Sequence, residues 1–193
     1  MSHFEFDIHT HTIASGHGSA ATITDMVKTA RTQHLNMLGI SDHGPATLGG
    51  GKPAYFRNLT YAPKNRMGIR MLYHGKLDLE DEILKHLDYV IASLHRPAKR
   101  PGSKEENTRS YIEAMKKPYV RIIGHCDDVK FPVDYLALVE AAMEYHVILE
   151  LNDSSLRPDG YRGDTRFNDM MLLNLCKHFH YPILLSSDSH GTG

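Results

Sequence analysis

Seven short apolar runs punctuate the chain: Phe4–Ile8, Met37–Ser41, Ile69–Tyr73, Tyr89–Leu94, Val120–Gly124, Val147–Leu151 and Ile183–Ser187. Most are hydrophobic almost without interruption, the pattern of parallel strands covered on both faces. Between them, Thr24–His34, Lys104–Lys116, Asp134–His146 and Thr165–His178 read as helices. Ser103 stands as N-cap of the second, and Glu106 three residues on completes a capping box. The third follows Pro132. Alternating strands and helices imply a parallel sheet, open or closed. No internal repeat, low-complexity tract or linker interrupts the pattern, so residues 1–193 are expected to form a single domain.

The residues after each run decide between the two sheets. The first run leads into Asp7-Ile8-His9-Thr10-His11, the second into Ser41-Asp42-His43 and the third into His74-Gly75. The fourth reaches His95, the fifth His125, the sixth Asn152-Asp153 and the seventh Asp188-Ser189-His190. An open sheet gathers a few such residues at its carboxyl edge. Ligand-type side chains after every strand are better explained by a closed barrel, whose strand ends converge on one mouth.

His9 and His11 stand two apart, which puts both rings on one side of a strand. Alone, such a pair is as readily a surface feature as a ligand pair. With His43, His95, His125, Asp188 and His190 at equivalent strand ends, the metal reading outweighs the surface one. His17, in Ser15-Gly16-His17-Gly18, is by itself an ordinary loop histidine. His34, His86, His146, His178 and His180 fall in or near helices and read as surface or packing residues. Asp7 and Asp42 precede ligand histidines and read as groups that orient imidazoles.

Composition sharpens this picture. The chain holds 14 histidines, and histidine is the commonest metal ligand. Imidazole and carboxylate donors without thiolate suit zinc, manganese or iron and argue against a structural Cys-rich site. Seven histidines and one aspartate exceed the needs of one ion, so a multinuclear site is expected. Two ions roughly 3.5–4 Å apart clamp the attacking and leaving oxygens of a phosphoryl displacement, and one ion brings the pKa of a bound water to about 7. Lys52, Arg57, Arg96, Arg157 and Arg162 are loop cations on the expected active face and candidates for a phosphate contact, although a solvated charge is the default for any one of them.

The formal net charge of -1 carries no nucleic-acid or membrane-surface signature. No apolar stretch is long enough to span a bilayer, and the first residues do not read as a secretory leader. Cys126 and Cys176 have no disulfide or CxxC spacing and read as reduced thiols of a cytoplasmic protein.

These segments together resemble the PHP (polymerase and histidinol phosphatase) superfamily, and most of all its small bacterial phosphatases with a trinuclear zinc site. The matching stretches are Asp7-Ile8-His9-Thr10-His11-Thr12, Ser41-Asp42-His43-Gly44-Pro45, Leu94-His95, Gly124-His125, Glu150-Leu151-Asn152-Asp153-Ser154-Ser155 and Ser187-Asp188-Ser189-His190. Each alone is weak; together they are specific. The resemblance implies an α/β fold, a distorted (β/α)7 TIM-like barrel with the metal site at the C-terminal ends of the strands. It implies that His9, His11 and Asp188 hold one ion, His95 and His125 a second, and His17, His43 and His190 a third. Asp188, His190 and His43 are the residues expected to serve catalysis. The implied reaction is hydrolysis of a small-molecule phosphate ester by metal-activated hydroxide, with up to three zinc ions, or manganese or iron in their place. The resemblance also leaves a small homo-oligomer open.

The chain departs from the family in two places. The family carries a metal-bridging glutamate two residues after the third-strand glycine; here Gly75 is followed by Lys76-Leu77-Asp78. The family-like Gly-Lys-Leu-Asp resumes at Gly75 itself, as though a short segment were missing, and the sequence stops at Gly193, where family members continue with a helical region. The expectation is that the natural chain has both segments. If the glutamate is truly gone, His74, Asp78 and Glu80 are the nearby substitutes, none at the family's offset, and activity is expected to be weak. Three rival readings stay open: a PHP-type nuclease or proofreading module, a C–N hydrolase on a related barrel, and a non-catalytic metal-binding or sensing protein. The balanced charge counts against the first, and the absence of a strand-end lysine counts against the second.

Overall fold

The computed structural model describes residues 5–96, 99–157 and 160–192. Among the described residues, strands β1 (Phe6–Thr10), β2 (Met37–Ile40), β3 (Asn65–Arg66), β4 (Ile69–Gly75), β5 (Tyr89–Ala92), β6 (Val120–Ile123), β7 (Ile148–Asn152) and β8 (Ile183–Ser186) are interspersed with six α-helices. These are α1 (Ile23–Thr32), α2 (Pro53–Leu59), α3 (Asp81–Leu84), α4 (Lys104–Met115), α5 (Tyr135–Tyr145) and α6 (Arg166–His178). The seven long runs of the sequence are the seven strands of the sheet path, in the order β1-β2-β4-β5-β6-β7-β8. Sequential order is the topology of a β/α barrel, whereas a doubly wound sheet reverses its order at a switch point.

The chain packs as two compact units. One runs to Val90 and takes in the segment from Ser187; the other is Ile91–Ser186. In the first, β1 lies parallel to β2, with Phe6 opposite Met37 and Thr10 opposite Ile40. The register slips between Asp7 and Thr10, an irregularity that re-aims the side chains beside it, His9 among them. β2 and β4 run in unbroken register, and β4 meets β5 at His74↔Tyr89 and Gly75↔Val90. Leu38, Ile40, Met71, Tyr73 and Val90 are buried in these strands, with Val27 and Ala30 of α1 and Phe56 of α2. Two elements here were not legible as periodic runs. α2 is only seven residues long and opens on Pro53, whose fixed φ suits a first turn. β3 folds antiparallel onto β4 through Met67 and Gly68, both at positive φ, the requirement of a two-residue hairpin turn.

In the second unit β6, β7 and β8 are parallel, with Ile122↔Ile148 and Leu149↔Ile183 in register. Ile91, Ile123, Leu138, Val139, Leu149 and Leu172 are almost fully buried. α4 begins as the sequence predicts: the Ser103 hydroxyl accepts from Glu106 N at 3.2 Å, and Ser103 N donates to the Glu106 carboxylate at 2.8 Å. His146, the C-cap of α5, takes a left-handed conformation at φ 55°, and the exposed His34, His86, His146, His178 and His180 are the surface residues expected. Among the described residues no helix is long and apolar enough to cross a membrane.

Candidate metal centre

In the first unit β1 and the residue just past its end carry two histidines into a buried cluster: His9 is 1% exposed and His11 0%. The segment after β8 runs beside them. Thr10 pairs with Ser189, and His11 N donates to Ser189 O at 2.8 Å. Asp188 adopts a left-handed φ of 53° in that segment. Its Oδ1 lies 3.0 Å from His11 Nε2 and 3.6 Å from His9 Nε2. His9, His11 and Asp188 therefore present three ligand atoms within 4.8 Å of one another, and His11, His43 and His190 form a second such group. His11 belongs to both.

Hydrogen bonds fix which nitrogens face inward. An ionised carboxylate only accepts, so the Ser15 hydroxyl donates to Asp42 Oδ1 at 2.8 Å. The Ser15 oxygen then accepts from His11 Nδ1 at 2.8 Å and from His43 N at 3.1 Å. That assigns a proton of His11 to Nδ1; with an ion between them, Nε2 would turn a lone pair and Asp188 an oxygen to the metal. Asp42 is itself held by Thr12 N at 2.6 Å, the Thr12 hydroxyl at 2.8 Å and the Tyr55 hydroxyl at 2.5 Å. Burial, and next the Asp42 charge, push the Tyr55 phenol well above its usual range, so it stays a donor. His190 follows the same logic: Nδ1 bonds the Asp188 carbonyl at 2.9 Å, and Nε2 is buried with no hydrogen-bond partner among the described residues. Burial pulls the pKa of His11 well below the ordinary imidazole value and that of His190 below it, which favours the neutral, ligating form.

Asp42 thus orients an imidazole through Ser15, as the sequence reading supposes in outline. Asp7 does something else. Its carboxylate accepts from the Ser187 hydroxyl, from Ser187 N at 3.4 Å and from His9 N at 3.2 Å, so it ties down the segment that carries Asp188 rather than a ring. The loop after β1 approaches the loop after β2 so closely that a Cβ on Gly16 would lie 2.1 Å from the Gly49 carbonyl carbon. His17 follows at the exposed rim, its ring 4.8 Å from that of His43 and 5.4 Å from that of His190. The expected partners of His17 are its neighbours, but the tighter group with His43 and His190 is completed by His11.

Of the proposed substitutes for the family's glutamate, Asp78 is exposed and accepts from Ala46 N at 2.7 Å, and Glu80 pairs with Arg57 at 3.1 Å. His74, by contrast, is completely buried, 6.4 Å from the ring of His9.

In the second unit the rings of His95 and His125 lie 4.7 Å apart, edge to face. Glu150, fully buried on β7, accepts from His125 N at 2.8 Å and from Asn152 at 2.9 Å. Burial and the nearby Asp169 carboxylate push the Asp127 carboxyl up to about 7, against the lowering effect of Ser155 and Arg162. Of the loop cations, Lys52, Arg57, Arg96 and Arg157 are exposed; Arg162 is half-buried, 3.4 Å from Asn152 Oδ1 and 3.3 Å from Ser155 Oγ. Ser15, Tyr55, Asp127 and Asp169 carry no motif that singles them out in sequence; only their contacts do.

An all-N/O donor set, convergent ligand atoms and an unsatisfied buried His190 Nε2 fit a divalent ion. Comparisons with known proteins point the same way. Residues 7–154 match the PHP domain family. A probable phosphatase of Clostridium botulinum (strain Langeland) is 38% identical over 193 residues, which cover 95% of this chain and 78% of that protein. A probable phosphatase of Clostridium novyi is 38% identical over 196 residues, covering 97% and 79%. Among solved structures, the histidinol phosphate phosphatase of Lactococcus lactis subsp. lactis, in complex with zinc, L-histidinol and phosphate, matches with a TM-score of 0.66 over 98% of this chain and 87% of that one. At 21% identity that likeness shows the fold alone. With most of its length matched by one family, the chain belongs to the PHP domain family.

Proposed function

We propose that this protein is a metal-dependent phosphoesterase acting on a small-molecule phosphate ester in the cytoplasm. The observation that carries the reading is His11, a neutral imidazole shared by two convergent ligand groups. His9, His11 and Asp188 would hold one ion, and His43, His190 and His17 with His11 a second; His95 and His125 would serve a third. Zinc suits these donors best, with manganese or iron as substitutes. Bound ions would supply Lewis acidity and a water of lowered pKa. The chain's own contribution is to fix the ligands: Ser15 sets the proton of His11, the Asp188 carbonyl sets that of His190, and Asp7 anchors the segment carrying Asp188. Arg162 is the loop cation best placed by its neighbours to meet a phosphate.

The test is metal content by elemental analysis of the purified protein, with hydrolysis of a phosphomonoester panel before and after chelation. Two or three ions per chain, and activity lost on chelation and restored by zinc, are expected. Activity that survives complete metal removal would refute the reading. A non-catalytic metal-binding role is favoured by one observation, that Gly75 is followed by Lys76-Leu77-Asp78, without the glutamate expected to bridge two ions. Full metal loading with no hydrolysis across the panel would select it.

A further inference from the structure

β7 is an ordinary buried strand except at Glu150, which is 0% exposed. A charged side chain is costly in that position, and an aliphatic one would fill the space without losing hydration. What the carboxylate holds accounts for it. Oε2 accepts from His125 N at 2.8 Å and from Asn152 Nδ2 at 2.9 Å, and Oε1 accepts from the Ser186 hydroxyl. These donors stand just past the end of β6, at the end of β7 and at the end of β8. One side chain therefore ties three neighbouring strand ends together.

The bond from His125 differs from the other two. His125 has φ 34°, positive yet below the usual left-handed range of about +50° to +70°. Such a conformation persists only where the surroundings over-determine it, and such residues cluster at functional sites. Here the peptide N–H is held by a charge-assisted bond, and the residue before it is crowded. A Cβ on Gly124 would lie 2.7 Å from Ser93 Oγ, 2.8 Å from Ile91 Cγ2 and 3.3 Å from Glu150 Oε2. The turn at His125 brings its ring within 4.7 Å of that of His95.

We propose that Glu150 is a positioning residue: by holding the His125 peptide in its left-handed turn, it aims the imidazole at the ion that His95 and His125 would share. The inference rests on the reading that these two histidines hold an ion. A carboxylate that merely braced the strands would set stability alone; this one sets the affinity of one site in particular.

The test uses the full chain, stripped by chelation and titrated with zinc against a chromophoric chelator, with the melting temperature of the metal-free protein measured alongside. Glu150→Asp keeps the charge but is one methylene shorter, so the acceptor draws back from His125 N. Glu150→Gln keeps the acceptor in place, and its amide nitrogen donates to Ser186, whose hydroxyl rotates. His125→Ala marks the site concerned. Glu150→Asp is expected to lose about tenfold or more in zinc affinity at one site per chain, the one that His125→Ala removes. Should it fold poorly, Glu150→Met, similar in length and without an acceptor, gives the same readout. Glu150→Gln is expected to lose about threefold or less, since only the charge assistance is gone. A larger loss in Glu150→Gln than in Glu150→Asp would overturn positioning in favour of charge. Lower melting temperatures with every site weakened alike, or with none weakened, would overturn it in favour of bracing. If His125→Ala keeps every ion of the parent, the reading of an ion on His95 and His125 falls and the inference with it. Affinities in the expected order in a protein that hydrolyses no phosphoester would overturn the phosphoesterase reading and leave the role of Glu150 standing.

Discussion

Replacing Ser15 with alanine removes one hydroxyl with three hydrogen bonds: to Asp42, from His11 Nδ1 and from His43 N. Asp42 keeps three other donors, so its charge is not stranded. His11 Nδ1–H and His43 N–H are, in a site where Ser15 and His11 are both 0% exposed. Two stranded donors at about 1–3 kcal/mol each set a stability loss of roughly 2–4 kcal/mol, allowing for partial relaxation. The larger consequence is chemical. Without an acceptor at Nδ1, His11 is free to carry its proton on Nε2, where it blocks the lone pair both ligand groups share. Loss of such an outer partner typically lowers metal affinity about 10–100-fold, or roughly 1.4–2.8 kcal/mol.

Asp42→Asn supplies the control. Oδ1 accepts from Thr12 N, a fixed donor, so the asparagine oxygen takes that position and still accepts from Ser15. The amide nitrogen then faces the Thr12 and Tyr55 hydroxyls, which rotate to accept. Asp42→Asn is therefore expected to weaken metal binding less than Ser15→Ala, although it removes a full charge. Zinc affinity measured by competition with a chromophoric chelator decides the matter. Ser15→Ala within twofold of the parent, or Asp42→Asn weaker than Ser15→Ala, would refute the relay.

Further outcomes follow from the same contacts. Removing bound metal should lower the melting temperature, and zinc at a hundredfold excess over its dissociation constant should restore about 2.7 kcal/mol, checked by differential scanning fluorimetry. In the metal-free protein the raised Asp127 pKa means that the folded state holds a proton the unfolded state releases above the ordinary carboxylate value. That contribution is present at low pH and lost as pH rises through about 7, so Asp127→Asn should gain stability relative to the parent at pH 8 and less at pH 5; an equal effect at both would count against the buried pair. Ser103→Ala should lose about 1 kcal/mol by urea denaturation with hydrolysis unchanged, since it removes only the α4 cap.

The strands, the longer helices and the histidines that stand at the strand ends were legible along the chain. Near-continuous apolar runs can be buried only between layers, and a ligand-type side chain after each strand marks one carboxyl-terminal face. The sequence shows the α4 cap as well, because a capping box is local chemistry within four residues. Short elements escaped it: α2 and α3 carry too few turns to show a period, and β3 exists through its pairing with β4. The supporting shell escaped it too. That Asp42 works through Ser15 while Asp7 holds Ser187 depends on contacts 27 and 180 residues apart along the chain. His74 shows the same limit. Its ring stacks on that of Tyr89, its partner in register on β5, and lies buried 6.4 Å from that of His9, a placement no offset along the chain predicts. Periodicity and ligand type are written along the chain; which hydroxyl fixes which ring is a long-range contact that exists once the strands have packed.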